Sequence, residues 1–253
     1  MADYTLKIEC ISAVCPASGE SWGGVVDNDV MYDDIGIPFI PAKRIKGLLL
    51  ENAIDVCQAM QKVAKVDKKK CWTPEKLFDL FGLDGNETSA PIIIDDAKID
   101  EYKKKRPWLA WAQKNVYDLA SPMQVLSLFT TIRAQTAIAR DIVPDANQLF
   151  SQENDVENKK KKDADPAGVA KPHSLRVQRV LRSGLIFESD IHVNEEKIEN
   201  GMNYESLLAL TAAATKHIGL NRNRGMGAVC MSLLKDKKPI DVDAILEEEV
   251  SNV

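Results

Sequence analysis

A proline-bracketed segment followed by a helical pattern constrains this chain more than any other stretch of its sequence. The bracket, Ile37–Pro41, ends in a proline whose fixed φ and missing N–H suit the first turn of a helix. Apolar residues then recur at helical spacing and predict a helix with one buried stripe, ending near residue 60. The stripe consists of Ile45, Leu48, Leu49, Val56 and Met60.

The start of this predicted helix carries three cations, Lys43, Arg44 and Lys46. The N–H groups of a helix start have no intrahelical partner, so together with cations they attract phosphate. An acidic segment with four aspartates lies just upstream, at Asp27, Asp29, Asp33 and Asp34. A phosphate site beside carboxylates is the arrangement that metal-assisted cleavage of a phosphodiester requires.

A second helix with a glycine-rich loop is predicted near the other end of the chain. Asn203 suits the cap of a helix over Tyr204–His217. The loop that follows carries Arg222 and Arg224 beside Gly225 and Gly227, and it leads into an apolar strand at residues 228–234. The backbone N–H groups of such a loop can wrap an anion.

The order of predicted elements indicates an α+β protein. Five stretches are predicted to be strands. The third and the fourth pair with each other, and a turn joins the fourth to the fifth. These are Tyr4–Val14, Pro91–Ile99, Phe129–Ala139, His173–Val180 and Leu185–Val193. With the two helices, they predict a ferredoxin-like (RRM-like) core with an inserted hairpin, in a single domain over residues 1–253. An exposed sheet of this kind is a common RNA platform.

Three further stretches are polar or aromatic. Ser151–Pro172 is lysine-rich and poor in apolar groups, which predicts a mobile loop. The acidic tail at 240–253 predicts one helical turn or disorder. Trp108, Trp111 and Tyr117 follow the basic run 103–106. Their helical spacing favours burial in the core, and the alternative is the stacking of nucleic-acid bases.

The composition narrows the class of protein. A net charge of −5 and a pI near 5.4 argue against indiscriminate nucleic-acid binding, although a local cationic groove can still bind. The five cysteines show no CxxC pair and no zinc spacing. With no signal peptide and no apolar run of membrane length, a cytoplasmic protein with no membrane association is expected.

Two segments resemble a known family. Val30–Asp33, Gly36–Pro41 and Ile45–Gly47 resemble the N-terminal signature of the RAMP superfamily, the repeat-associated subunits of type III CRISPR effector complexes. The glycine-rich loop at 219–227 resembles the family's C-terminal loop, which lies beside the guide RNA. The backbone subunits of the Csm and Cmr type usually read Gly-Ser-Ser-Leu-Lys-Gly after the second proline. Here Ala42–Gly47 reads Ala-Lys-Arg-Ile-Lys-Gly.

The resemblance implies a function and its residues. It implies a guide-RNA-binding backbone subunit whose partners are guide RNA, target RNA and other RAMP subunits. Asp33 falls on the loop aspartate that cuts target RNA by attack of a ribose 2′-OH, with Asp34 and then Asp27 as further candidates. Asp33 would hold Mg²⁺ or Mn²⁺, or help to take the 2′-OH proton. In backbone subunits such a hairpin, called the thumb, inserts between guide and target, and the sequence leaves open which element of this chain is the thumb.

The cations divide by expected role. Phosphate contacts are expected from Lys43, Arg44 and Lys46 at the helix start and from Arg222 and Arg224 at the loop, and such contacts do not read base sequence. Two roles are open for Arg176, Arg179 and Arg182: they either face RNA or lie on the solvent-exposed face of a sheet. Two alternatives stay open. One is a non-catalytic cap or stem subunit of the same complex, and the other is an unrelated ferredoxin-like protein with a different ligand.

Overall fold

A computed structural model describes residues 2–16, 26–63, 72–82, 89–136, 174–198 and 202–251. The strands are β1 Ala2–Cys10, β2 Met31–Tyr32, β3 Pro38–Ile40, β4 Ile92–Ile94, β5 Ala97–Ile99, β6 Thr130–Gln135, β7 Arg176–Leu181, β8 Ile186–Val193, β9 Val229–Lys235 and β10 Lys238–Pro239. The helices are α1 Ala42–Val63, α2 Pro74–Phe81, α3 Tyr102–Asn115, α4 Pro122–Phe129, α5 Tyr204–Ala214 and α6 Val242–Ser251.

The main sheet is antiparallel and runs in the order β10-β9-β1-β8-β5-β3-β2, with β4 also paired to β8. The alternation of buried and more exposed residues along β1 shows which face of the main sheet is covered by the helices. Tyr4, Leu6, Ile8 and Cys10 are buried in the main core, together with Leu49 and other residues of α1 and α5. The intervening residues of β1 point away from that core.

The predicted α+β class with an antiparallel sheet is confirmed. The finer assignment to the ferredoxin-like fold stays a prediction. Two features bear on this assignment. Four strands of the main sheet lie in the order β9-β1-β8-β5, and along the chain α1 lies between β1 and β5 while α5 lies between β8 and β9. α5 packs against both β9 and α1, so the two helices lie on the same side of the sheet.

Helix starts agree with the sequence. α1 begins directly after Pro41, and Thr73 caps α2 by accepting a hydrogen bond from the Lys76 N–H. Ser121 forms a reciprocal capping box with Gln124 at the start of α4, and Asn203 accepts from the Ser206 N–H at the start of α5. Each start is encoded by residues within one turn of it, which is why periodicity and capping chemistry locate it.

Three boundaries differ from the prediction. The strand predicted over Pro91–Ile99 is two short strands, because the register against β8 shifts by one residue between them: Ile94 pairs with Ile191, whereas Lys98 pairs with Glu188. α5 ends at Ala214 instead of His217, since the backbone of Thr215 is extended (φ −76°, ψ 99°) and His217 pairs with Ala228 in an isolated β-bridge. The tail is neither a single turn nor disordered over 242–251. There the Asp241 carboxylate caps α6, and Val242 and Ile245 pack on the core.

A two-stranded ribbon, β6 with β7, stands apart from the main sheet. Its register runs from Thr130 opposite Leu181 to Gln135 opposite Arg176, which confirms the predicted pairing. The predicted mobile loop, Ser151–Pro172, lies outside the described residues. Among the described helices, none combines the length and hydropathy that a membrane-spanning segment requires.

The expected burial of the aromatic segment was wrong. α3 buries Leu109 and Ala112, whereas Trp108 is 60% exposed, Trp111 57% and Tyr117 89%. Each residue of a helix is rotated by about 100° from the one before it. The two tryptophans directly precede the two buried residues, so they turn away from the core.

Candidate nucleic-acid interface

The start of α1 and the glycine-rich loop meet in one groove. A cavity of about 760 Å³ is lined by Lys43 and Arg44 of α1 and by Arg222 of the loop. A second cavity of about 750 Å³ continues along the loop past Arg224 and Lys216. Both cavities include Glu51, Gly219, Leu220 and Arg222, so they form one continuous depression.

The groove is cationic with one acidic wall. Five cations line it, at Lys43, Arg44, Lys216, Arg222 and Arg224. The opposing wall is the third and fourth turns of α1, with Glu51, Asn52 and Asp55. The Arg222 Nη1 lies 3.7 Å from the Glu51 Oε2, and both side chains are about half exposed. A phosphate entering the groove therefore competes with a carboxylate for Arg222.

Lys46 lies outside this groove. Its ammonium is beside Gly82, 3.9 Å from the position that a Cβ would take there, and burial lowers its pKa. The residue is two positions after Arg44 and is turned toward α2 by the helical rotation. The structure therefore brings together four of the five cations predicted at the helix start and the loop, and leaves Lys46 elsewhere.

The helix start already holds an anion. The N–H of Ala42, the first residue of α1, donates to the Asp96 Oδ1 over 2.8 Å. Asp96 comes from the break between β4 and β5, so a protein carboxylate satisfies one of the N–H groups that were expected to bind phosphate. Sequence reasoning missed this role, although the Asp96–Ala97 pair belongs to the stretch predicted as a strand.

The glycines of the loop have different structural roles. Gly219 and Gly227 have φ of +82° and +79°, and a Cβ on them would lie 2.0 Å from the Cys15 carbonyl oxygen and 2.4 Å from the Ile218 carbonyl oxygen. Gly225 has φ of +71°, yet a Cβ there would meet nothing within 4 Å. Gly227 is thus required for close backbone packing, and Gly225 is the predicted RNA-contacting glycine that faces open space.

Asp33 organises its own loop. Its Oδ1 accepts three backbone N–H groups, from Ile35 (3.0 Å), Gly36 (2.9 Å) and Ile37 (2.8 Å). Its Oδ2 accepts the Tyr102 hydroxyl over 2.7 Å. Burial, and then this hydrogen bond, raise the pKa of Tyr102, so the phenol stays protonated and keeps donating. The carboxylate is only 16% exposed.

The predicted metal site does not fit this arrangement. Both Asp33 oxygens accept protein hydrogen bonds, and the Arg106 Nε lies 3.8 Å from its Oδ2. A divalent cation at Asp33 would have to displace these donors and sit beside a guanidinium. Within the described ranges, no three His, Cys, Asp or Glu side chains gather as a metal would require.

Asp34 and Asp27 have other surroundings. Asp34 is 72% exposed, and both its oxygens accept from the Arg106 Nη2 over 2.9 Å. This hydrogen bond raises the pKa of Arg106. Asp27 accepts the Val177 N–H over 2.6 Å and so joins the acidic segment to β7. Asp34 is therefore the accessible carboxylate of the predicted pair.

The arginines of the ribbon separate by burial. Arg179 is 8% exposed, and its Nε donates to the buried Asp29 Oδ1 over 2.9 Å. Arg182 donates to the carbonyls of Thr130 and Ser127. Arg176 is exposed at the end of β7. Arg179 is therefore a structural partner of Asp29, while Arg176 stays available to a ligand.

The open face of the main sheet is acidic. The outward positions of β1, β8 and β9 carry no phenylalanine, tyrosine or tryptophan. Asp3, Glu9, Glu188 and Asp190 outnumber the cation Lys7 there. The Asp3 Oδ1 lies 2.7 Å from the His192 Nδ1, and this hydrogen bond raises the pKa of His192. Apart from His192, which is paired with Asp3, the face therefore lacks the stacking groups of an RRM-like RNA platform, and it lacks the positive charge of one.

Comparison with known proteins decides the family. A family model for the RAMP superfamily matches residues 7–230. The chain belongs to the RAMP superfamily. This confirms the membership predicted from the two motifs, both of which lie inside the matched residues. No curated protein sequence gives a significant match.

Two solved structures are similar to this RAMP chain. A chain from the cryo-EM structure of the Type III-B Cmr-beta bound to cognate target RNA is 12% identical, with a TM-score of 0.55, over 97% of this chain and 99% of that one. A chain from the apo state of Type III-B Cmr-beta is also 12% identical, with a TM-score of 0.51, over 93% and 98%. At this identity, the likeness shows a shared fold.

Proposed function

We propose that this RAMP-superfamily chain binds guide RNA as a subunit of a type III CRISPR effector complex. The observation that carries the proposal is the groove in which Lys43 and Arg44 of α1 face Arg222 and Arg224 of the glycine-rich loop. Family membership and the fold shared with chains of Type III-B Cmr-beta support it. The other partners proposed are target RNA and further RAMP subunits.

The groove suits a phosphate backbone better than base edges. Its charges come from long side chains on a helix start and a loop, and such contacts fix the register of a strand without reading sequence. Gly225 leaves open space in which the loop backbone can approach a phosphate. The Glu51 carboxylate lies close to Arg222 and weakens the binding of any single phosphate there. Stable binding therefore requires contacts to several phosphates of one strand.

The test is a salt series of guide-RNA binding, followed by fluorescence anisotropy. Arg222→Ala and Arg224→Ala should each lower the affinity, and the slope of log K against log salt should fall by about 0.7 per lost phosphate contact. Lys46→Met is the matched control, since it removes a cation from the same helix as Lys43 but outside the groove. A slope that drops as much for Lys46→Met as for Arg222→Ala would contradict the proposed groove.

Cutting of target RNA is a second candidate function, favoured by the exposed Asp34 beside Arg106. Attack of a ribose 2′-OH on the adjacent phosphate forms a cyclic phosphate and breaks the bond to the 5′-oxygen of the next nucleotide, which leaves and takes up a proton. The step needs a group that takes the 2′-hydroxyl proton and a cation that neutralises the phosphate. Asp34 and Arg106 offer these two groups at one accessible position. Asp33 would serve by shaping the loop that presents them.

The reconstituted complex separates the candidates. Asp34→Ala should abolish target cleavage, whereas Asp33→Asn, which keeps the acceptor of the loop N–H groups, should retain it. Cleavage that survives Asp34→Ala would remove this aspartate as the base. A wild-type complex that binds target RNA and leaves it uncut would favour the non-catalytic cap or stem subunit.

A further inference from the structure

Helix α3 exposes two tryptophans that no other described residue covers. Trp108 is 60% exposed and Trp111 57%, and neither belongs to the hydrophobic core. Residues three apart on a helix are neighbours, with about 5–6 Å between their Cβ atoms. The two indoles therefore form one aromatic surface, of a kind that commonly marks a binding site.

The same helix is strongly cationic. Its fourteen residues include five cations and no carboxylate, in a chain whose net charge is −5. Arg106 pairs with Asp34, and Lys104 pairs with Glu101 over 2.5 Å. Within the described part of the chain, Lys103, Lys105 and Lys114 have no salt-bridge partner. Lys103 also lines a cavity with carboxylates that include Glu188 and Asp190, so Lys105 and Lys114 are the lysines of α3 left to attract a polyanion.

The surface is held in place from below. Leu109 and Ala112 are buried beneath it, and the Gln113 Nε2 donates to the Ile35 carbonyl over 2.7 Å. Tyr102 and Arg106 tie the first turns of α3 to the Asp33–Asp34 loop. A helix anchored at both ends offers its indoles with little loss of conformational freedom when a ligand binds.

This surface is separate from the groove. No residue of α3 lines the two cavities that join α1 to the glycine-rich loop. The outward faces of β1, β8 and β9 carry no phenylalanine, tyrosine or tryptophan either. A single strand held at α3 would therefore be a different strand, or a different part of one, from that in the groove.

We propose that Trp108 and Trp111 stack the bases of an unpaired RNA strand, whose phosphates lie along the lysines of α3. The proposal rests on the proposed function for its class of ligand, and adds a second site to it. Bases of a duplex are already stacked and hidden, so this surface selects unpaired nucleotides. Every base has a π-face, so stacking tolerates any sequence.

The experiment uses the full chain carrying Arg222→Ala and Arg224→Ala, which weakens binding in the groove. The probes are a labelled oligouridine of about twelve nucleotides and an abasic strand of equal phosphate number. Trp108→Ala and Trp111→Ala should each weaken oligouridine binding about five-fold or more, with an unchanged salt slope. Binding of the abasic strand should not change, and Trp108→Phe should retain most of the affinity.

Two controls complete the design. Leu246→Ala removes another exposed apolar side chain, on α6, and should leave binding unchanged. Lys105→Ala should lower the salt slope by about 0.7 on both probes. Equal losses on the abasic strand, or no loss on oligouridine, would overturn the stacking proposal.

The rival occupant is protein, for example the acidic sheet face of a second copy. Sedimentation of the tryptophan variants tests it, and a changed oligomeric state with unchanged oligouridine affinity would overturn the proposal in favour of that interface. The proposed function fails separately. If the groove variants bind guide RNA as the wild type does, while the tryptophan variants lose oligouridine, the groove is wrong and the α3 site stands.

Discussion

Replacing Asp33 should damage the fold before it reports on chemistry. Its Oδ1 accepts the N–H groups of Ile35 and Ile37, whose residues are 5% and 0% exposed. Gly36 keeps a second acceptor, the Asp33 carbonyl at 3.0 Å. Asp33→Ala therefore leaves two buried donors unpaired. At about 1–3 kcal/mol for each unpaired donor, the expected loss of unfolding free energy is about 2–6 kcal/mol.

Asp33→Asn is the matched variant. The amide oxygen still accepts the loop N–H groups, and the amide nitrogen can donate to the Tyr102 oxygen, since a phenol both donates and accepts. The substitution removes the negative charge of the Asp33 side chain and its ion pair with the exposed Arg106. The expected cost is about 1 kcal/mol.

The assay is urea unfolding of the isolated chain, monitored by far-UV circular dichroism. The unfolding free energies of the variants are compared where their m-values are equal. If Asp33→Ala unfolds within about 1 kcal/mol of the wild type, the loop does not depend on this carboxylate. If Asp33→Asn loses as much as Asp33→Ala, the negative charge matters and the acceptor geometry does not. Either result would refute the structural role given to Asp33.

The remaining predictions concern packing, charge and pH. Gly227→Ala should lower the unfolding free energy by several kcal/mol, whereas Gly225→Ala should cost about 1 kcal/mol, because only the first adds a clash to the strain of positive φ; urea unfolding measures both. Arg179→Ala should cost about 3–5 kcal/mol by stranding a buried carboxylate, and the exposed Arg176→Ala less than about 0.5 kcal/mol in the same assay. The hydrogen bond to β1 raises the pKa of His192, so its stabilisation is present at low pH and disappears as the pH rises through that raised pKa. His192→Asn should therefore lower the unfolding free energy by less than about 1 kcal/mol at about pH 6 and match the wild type at about pH 9, and thermal unfolding at the two pH values measures this.

The two motifs at opposite ends of the chain were enough to predict the family and the meeting of α1 with the glycine-rich loop. Lys43, Arg44, Arg222 and Arg224 line one groove, as the motifs implied. The prediction was less successful for single residues within those motifs. Lys46 is turned away by the rotation of its own helix.

Local patterns located the elements, because caps and periodicity act within one or two turns. Pro41 and Asn203 each marked a helix start that the structure confirms. The same patterns also predicted the pairing of β6 with β7. None of this required knowledge of distant segments.

Partners far away in the chain decided the chemistry of individual side chains. Asp33 receives its hydroxyl donor from Tyr102, 69 residues away, and Arg179 is neutralised by Asp29 across 150 residues. Helical spacing places Trp108 and Trp111 on one side of α3, but only the packing of α3 on its neighbours shows that this side faces solvent. A repeat defines a face relative to its own axis, while burial depends on what lies opposite, and that is a property of the folded chain.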